Sequence, residues 1–237
     1  MNQRLIDLYH RHIGMAFDRQ LRFADFLDRE AGGENWNYTI STATLSFGRK
    51  VEFQALDLGS HAFPDNSWLW AWGNPHLKLT RVNRALADEV RTLAANTEVD
   101  AFAATAQLSC EELLGEDVSQ ESSHAFAAIV ARELCFDAYY TIPFESGRGV
   151  AVIRDDRLKA VESLPLTRVL CVFPQAINAI PIPDQKATLI HYLEAYDVRP
   201  AIERQAIHAQ HGCEELVATF DGHNRLTEIK GTANKKD

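Results

Sequence analysis

The sequence predicts an α+β fold in which antiparallel sheets are packed against helices. Three observations predict it: a long amphipathic segment opens the chain, short alternating strands separated by turn residues follow, and a strand–turn–strand pattern closes it. No run reaches the ~18 apolar residues that a membrane-spanning helix needs. The charged N-terminus also lacks the apolar core of a signal peptide. We therefore expect a cytoplasmic protein.

The first predicted element is a helix over residues 3–30, because its apolar residues recur with a period near 3.6. Gly32-Gly33 is expected to end this helix, and Gly14 inside it indicates close packing. A three-strand meander and a second helix follow. The predicted strands are 36–47, 51–58 and 67–73, with a loop over 59–67 before the last one, and the second helix covers 80–95.

The rest of the chain predicts a similar order of elements. A polar loop over 115–123 marks the boundary, and a capping box at Ser109-Cys110-Glu111-Glu112 starts a short helical turn before it. We expect a helix at 121–136, strands at 138–145, 149–154 and 167–173, a helix capped by Asp184, and a hairpin over 216–230. Residues 1–115 and 116–237 thus resemble two helix–three-strand–helix halves. One continuous domain with a chance agreement of patterns is the alternative.

The composition excludes some classes of function. The 24 basic and 33 acidic residues give a net charge of −9 without a Lys/Arg stripe, so we expect no nucleic-acid binding. Since no membrane span is predicted, we expect no membrane partner either. An acidic surface suits a basic partner, although solubility alone also favours such a charge. The four cysteines lack a C-x-x-C pair. We expect Cys135 and Cys171 to be buried and unreactive.

The run Trp68-Leu69-Trp70-Ala71-Trp72-Gly73-Asn74-Pro75 is the most distinctive stretch. In a strand, the three tryptophans share one face, and small or apolar residues occupy the other. The favoured interpretation is a core strand covered by the first helix. In the alternative, the rings line a cleft and present indole N–H groups to a ligand, and the candidate ligand-binding residues are then Trp68, Trp70, Trp72, Asp65 and Gln54.

Other candidate sites are weaker. His208, His211 and Cys213 have a metal-like spacing but no evident fourth ligand, while His10 and His12 do not share a helix face. Two further groups of residues are interpreted as ordinary turns, with a catalytic or ligand-binding site as the alternative. They are the carboxylates Asp57 and Asp65, and the turn Glu145-Ser146-Gly147-Arg148-Gly149. There is no G-x-S-x-G elbow and no P-loop. We expect no metal and no cofactor.

A family resemblance rests on the meander. Residues 53–60 and 68–75 resemble a bacterial family of uncharacterised proteins with a W-x-W-A-W-x-N-P signature. The matching residues are Gln54, Gly59-Ser60, Asp65, Trp68, Trp70, Ala71, Trp72, Asn74 and Pro75. The resemblance covers about residues 35–95. It implies a small cytoplasmic bacterial α+β protein of unknown function and supplies no catalytic residue.

Two functions are predicted from these observations. The first is a non-catalytic interaction protein, for example an immunity or regulatory partner of a basic protein. It is favoured by the acidic charge and by the absence of a complete catalytic constellation, which also argues against an enzyme. The alternative is a small-molecule-binding protein or enzyme whose cleft is lined by the tryptophan strand.

Overall fold

The computed structural model describes residues 1–32, 35–159 and 165–233. The chain divides into two compact units. The first consists of Met1–Tyr9 and Arg19–Lys159, and the second of His10–Asp18 and Ala160–Asp237. The halves predicted from the sequence, 1–115 and 116–237, have different limits and stay a prediction. The predicted α+β class is confirmed, because helices accompany two antiparallel sheets of seven and four strands.

The first helix, α1, spans Gln3–Ala31. Asn2 caps its start, since the Asn2 side chain accepts a hydrogen bond from the Leu5 backbone N–H. At its end, Gly32 adopts the left-handed conformation with φ 65° and donates its N–H to the Leu27 carbonyl. The predicted helix over 3–30 is therefore confirmed, while Gly33 lies outside the described residues.

The first unit contains a seven-stranded antiparallel sheet. Its strands are β1 (Trp36–Thr39), β2 (Thr44–Phe47), β3 (Val51–Ala62), β4 (Ser67–Trp70), β5 (Leu108–Ser109), β6 (Ala138–Phe144) and β7 (Gly147–Ile153). Neighbouring strands follow the order β1-β2-β3-β4-β5, and β7 joins β3 to β6. The twelve-residue strand β3 is therefore the centre of the sheet.

The limits of three predicted segments are wrong. The single strand predicted over 36–47 is a β1–β2 hairpin, whose turn ends at Ala43 with φ 52°. The loop predicted over 59–67 is shorter, because β3 continues to Ala62. The tryptophan strand predicted over 67–73 ends at Trp70, and Ala71–Gly73 forms a 3-10 turn.

Four helices complete the first unit: α2 (Arg81–Thr97), α3 (Cys110–Leu114), α4 (Glu116–Ser119) and α5 (Ser122–Glu133). The predicted helices over 80–95 and 121–136 are confirmed as α2 and α5. The Ser109 hydroxyl accepts the Glu112 backbone N–H at 3.3 Å, as the capping box predicts. The polar loop predicted over 115–123 is wrong, because these residues form α4 and the first turn of α5.

The two faces of the large sheet are covered by different helices. On one face, Trp68 and Trp70 of β4 pack against Phe126 of α5. On the other face, Phe53 of β3 packs against Phe23 and Phe26 of α1. The core of this unit thus has two layers, separated by the sheet.

The second unit combines two helices with a four-stranded sheet. The elements are α6 (Pro165–Ala179), α7 (Gln185–Glu194), β8 (Ala201–Ile202), β9 (Ala206–His211), β10 (Glu214–Phe220) and β11 (Leu226–Ala233). The sheet is antiparallel, in the order β11-β10-β9-β8. The Asp184 cap of α7 is confirmed, since its side chain accepts the Ala187 N–H. The closing hairpin is confirmed as β10–β11.

The strand predicted over 167–173 is wrong, because these residues lie in α6. The buried residues of this helix, including Val169, Val172 and Phe173, recur at helical spacing. The buried Glu214 carboxylate accepts the backbone N–H groups of Leu166 at 3.2 Å and Thr167 at 2.7 Å. The predicted helix–three-strand–helix repeat therefore fails at its third strand.

Polar and steric contacts fix the helices of the second unit. The fully buried Asp18 accepts hydrogen bonds from Arg168 at 2.7 Å and from the Tyr192 and Tyr196 hydroxyls. A Cβ atom at Gly14 would lie 2.9 Å from the Tyr192 Cβ, which confirms the close packing predicted there. No helix in the described ranges of the chain combines the length and apolar content that crossing a membrane requires.

Candidate functional site

The tryptophan run divides between the core and a half-buried turn. Trp68 and Trp70 have no exposed surface, and their ring centroids lie 5.2 Å apart. Trp72, in the 3-10 turn, stacks on Trp70 at 4.8 Å. We expected the first helix to cover the rings; the structure places Phe126 of α5 directly against two of them.

Two of the three indole N–H groups in this run donate hydrogen bonds to backbone carbonyls of the protein. Trp70 donates to the Ala101 carbonyl at 2.7 Å, and Trp72 donates to the Ala104 carbonyl at 3.0 Å. The Trp68 N–H is buried, and no described residue accepts a hydrogen bond from it. The rings of Trp68 and Trp70 therefore serve as packing surface for α5.

A cavity of about 280 Å³ lies beside the residues that alternate with the tryptophans. Leu69 and Ala71 contribute to its wall, together with side chains from β1, β3, β6 and the segment after β4. The full lining is Tyr38, Ile40, Asp57, Gly59, Ser60, Leu69, Ala71, Asn74, Leu77, Ile142, Phe144 and Gly149. We call this cavity the Asp57 pocket.

A bulge in β3 assembles the polar part of the pocket. Asp57 pairs with Ala151 and Ser60 pairs with Gly149, with the register shifting between Asp57 and Gly59. Ala151 and Gly149 are two residues apart and so share a face of the sheet. Their partners Asp57 and Ser60 therefore share that face, although three positions separate them. Regular alternation would place them on opposite faces.

A cross-strand row forms one wall of the pocket. Ser60 of β3 pairs with Leu69 of β4 on one side and with Gly149 of β7 on the other, and Gly149 pairs with Ile142 of β6. All four residues line the cavity. The glycine contributes no side chain, which leaves space between Ser60 and Ile142.

Asp57 is the acidic group of this site. Its carboxylate accepts a hydrogen bond from the Asn83 side-chain nitrogen at 2.7 Å, and the neighbouring Tyr38 hydroxyl donates to the Ala55 carbonyl at 3.1 Å. Burial raises the pKa of Asp57 above its ordinary value, and the neighbouring Tyr38 and Asn83 side chains oppose the rise. Burial and the neighbouring carboxylate also raise the pKa of Tyr38, so its hydroxyl remains a donor.

The five residues predicted to bind a ligand lie elsewhere in the structure. Trp68 and Trp70 are in the core, and the Trp72 indole N–H donates a hydrogen bond to the Ala104 carbonyl. Asp65 sits in the β3–β4 turn, where it accepts hydrogen bonds from Ser67 at 2.7 Å and Gln107 at 2.6 Å. Gln54 is an exposed residue of β3, opposite Thr44 of β2. Their assignment to a ligand stays a prediction.

The predicted carboxylate pair is not brought together. β3 runs on for five residues from Asp57 to Ala62, about 17 Å at the rise of a strand, before the turn that holds Asp65. The hydrogen-bond partners of the two carboxylates are also different. Asp65 is a turn residue, as the simpler interpretation held, whereas Asp57 is a pocket residue.

The other sequence candidates form no site. His208 and His211 lie on β9, three residues apart, and so point to opposite faces of the sheet. Across residues 1–32, 35–159 and 165–233, no group of three or more potential metal ligands converges. The segment Glu145–Gly149 contains the β6–β7 turn, which confirms the hairpin interpretation, and Gly149 also lines the pocket.

Two predictions about cysteines are wrong. Cys135 is exposed because it follows the end of α5 with φ 56°, outside the apolar part of that helix. Cys171 is exposed because it lies on the solvent side of α6 and not in a strand. Cys110 is buried, and burial raises the pKa of its thiol to about 11.

Comparison with known proteins bears on the region that contains the Asp57 pocket. Residues 6–156 match the model of a family of unknown function, DUF6882. The chain belongs to this family. No curated protein and no solved structure matches the chain. The DUF6882 match includes every residue of the Asp57 pocket, and it confirms the predicted membership of an uncharacterised family. The bacterial origin and the tryptophan signature stay predictions.

Sequence reasoning missed most of the Asp57 pocket. Tyr38 and Asn83 were not singled out, because a tyrosine in a strand and an asparagine in a helix are ordinary residues. One signal for Asp57 was present. Val51, Phe53 and Ala55 alternate along the buried face of β3, and Asp57 continues that alternation. A carboxylate on an apolar face marks a functional candidate.

Proposed function

We propose that this member of DUF6882 is a small-molecule-binding protein and that the Asp57 pocket is its binding site. One observation carries the proposal: a carboxylate with a raised pKa stands in a largely apolar cavity, hydrogen-bonded to the buried amide of Asn83. Burying a carboxylate this way costs free energy in the empty protein. A ligand that contacts Asp57 would recover part of that cost.

The lining of the pocket supports ligand binding. Ligand pockets are mostly apolar, with a few placed polar groups that orient the bound molecule. Here Leu69, Leu77 and Ile142 supply apolar surface, and Asp57 and Ser60 supply polar atoms. The cavity of about 280 Å³ is at the lower end of the usual range, which favours a small ligand.

A fragment screen by ligand-observed NMR tests this function. We expect a set of fragments to bind the native protein and to lose binding in Gly149→Val, whose side chain would occupy the space beside Ile142. This substitution is sterically permissible, since a Cβ at Gly149 would meet its nearest neighbour at 3.6 Å. Gly222→Val is the matched control, because a Cβ there meets nothing within 4 Å and Gly222 does not line the pocket.

The results of the screen either support or contradict the proposed function. Fragments that bind the native protein and the Gly222→Val control, but not Gly149→Val, support the proposal. A screen without specific binders contradicts it. Binding that is equal in all three proteins also contradicts it, because the fragments would then occupy another surface.

A second candidate is the interaction function predicted from the sequence. The net charge of −9 favours a basic protein as partner, as for an immunity or regulatory protein in the bacterial cytoplasm. Affinity capture from the native host tests it at two salt concentrations. Recovery of a stoichiometric basic partner that is lost at high salt supports this function, and recovery of none contradicts it.

A further inference from the structure

We infer that the ligand of the Asp57 pocket is a small organic amine, bound as a cation, with a compact apolar or aromatic body. The inference rests on the proposed function, because it names the ligand class for the same pocket. Its evidence is the balance of charge in the pocket and the nature of the surrounding side chains.

The Asp57 carboxylate has only neutral partners in the described structure. Its hydrogen-bond donor is the Asn83 amide, and the neighbouring Tyr38 hydroxyl is an uncharged group that donates to the Ala55 carbonyl. Neither Lys nor Arg is among the described residues that line the cavity, and the charged form of Asp57 is not paired with a cation there. A half-buried carboxylate without a counter-ion is an incomplete ion pair. A cationic ligand would complete it.

The negative charge of Asp57 disfavours neutral and anionic ligands relative to cationic ones. An anionic ligand would bring a second negative charge to Asp57, with no cation to offset the repulsion. A neutral ligand can donate a hydrogen bond to Asp57, but hydrogen bonds between two charged groups are about twice as strong as neutral ones. The pocket should therefore rank an amine above a neutral molecule, and a neutral molecule above an anion, when the three have the same shape.

The walls suit the body of an amine. Leu69, Leu77 and Ile142 offer aliphatic surface, and the rings of Tyr38 and Phe144 also line the cavity. Phe144 is 47% exposed, and a bound apolar group would reduce that exposure. Aromatic faces attract cations as well as apolar groups. The chemistry thus combines one fixed anion with an apolar enclosure.

Three probes of nearly equal shape isolate the charge. Benzylamine is a cation at pH 7.5, benzyl alcohol is neutral, and benzoate is an anion. Their dissociation constants are measured by protein-observed NMR titration. The proteins are the native chain, Asp57→Asn, which keeps the shape of the side chain, and Asp117→Asn, an exposed carboxylate on α4 that serves as matched control.

We expect benzylamine to bind the native protein at least tenfold more tightly than benzyl alcohol, and benzoate to bind most weakly. Asp57→Asn should remove the tenfold preference, and Asp117→Asn should retain it. The native protein alone already decides the question if Asp57→Asn does not fold.

The inference is overturned if benzyl alcohol or benzoate binds the native protein as tightly as benzylamine, or if the preference survives in Asp57→Asn. In that case, if Gly149→Val still abolishes binding of the probes, the proposed function stands. If none of the probes binds while other fragments occupy the pocket, the amine class is again wrong. If the fragment screen is also empty, the proposed function itself fails.

Discussion

Replacing each of the two buried tryptophans of β4 by phenylalanine should have unequal effects on stability. Both side chains are fully buried, and both substitutions remove the same atoms, so the cost of the cavity is similar at the two positions. The indole N–H groups differ. Trp70 donates to the Ala101 carbonyl at 2.7 Å, whereas the buried Trp68 N–H has no partner within residues 1–32, 35–159 and 165–233.

The magnitude follows from these hydrogen bonds. Trp70→Phe loses a bond with a net contribution of about 1 kcal/mol, and Trp68→Phe removes an unsatisfied donor whose desolvation costs about 1–3 kcal/mol. The free energy of unfolding should therefore be lower in Trp70→Phe than in Trp68→Phe by about 3 kcal/mol. Since 1 kcal/mol corresponds to roughly 2–4 °C for a protein of this size, the melting temperatures should differ by about 6–12 °C.

The assay is urea unfolding followed by far-UV circular dichroism, which does not depend on the tryptophan signal. Trp36→Phe is the control for the substitution itself, because Trp36 is 37% exposed. Equal destabilisation by the two core substitutions, or a larger loss in Trp68→Phe, would refute the account of how the indole groups are satisfied.

Three further predictions concern the sheet, the acid and the thiols. Gly59→Ala should destabilise the protein by about 1–3 kcal/mol in urea unfolding, because its Cβ would lie 2.6 Å from the Leu69 carbonyl oxygen. Gly149→Ala, the control, should change the free energy of unfolding by less than about 1 kcal/mol, and equal effects of the two substitutions would count against this packing. The raised pKa of Asp57 means that the folded state binds the extra proton, so native stability relative to Asp57→Asn should be highest below about pH 4 and fall as the pH rises through that pKa. Melting temperatures from pH 3.5 to 8 check this, and a difference independent of pH would disagree with it. In the native protein, Ellman's reagent should modify the exposed Cys135 quickly and the buried Cys110 only after unfolding; a rapid phase that loses one thiol in Cys110→Ser would be inconsistent with this.

Local sequence signals predicted several helices and hairpins in both units. The caps at Ser109 and Asp184, the period of α1 and the turn residues of the hairpins all depend on neighbours a few positions away. The failure at α6 has a different origin. Residues 167–173 are rich in apolar and β-branched side chains, which favour a strand, but a carboxylate 47 positions away caps the segment as a helix.

The candidate site was less accessible to sequence reasoning for a similar reason. The alternation of tryptophans correctly indicates a strand with two distinct faces, but the ligand-binding residues it suggests lie on the aromatic face. The pocket lies beside Leu69 and Ala71, and its acid comes from β3. A bulge places Asp57 and Ser60 on one face, and bulges leave no reliable mark in a single sequence. Only the three-dimensional pairing joins Asp57 to Asn83 and Tyr38.

The central claim is that the Asp57 pocket binds a small molecule. The most direct test is the NMR fragment screen of the native protein, with chemical-shift changes mapped onto the backbone and repeated in Gly149→Val. The account predicts shifts concentrated at Asp57, Ser60, Leu69 and Ile142, and their loss in Gly149→Val while Gly222→Val retains them. Shifts centred elsewhere, or fragments that bind Gly149→Val as well as the native protein, would contradict it.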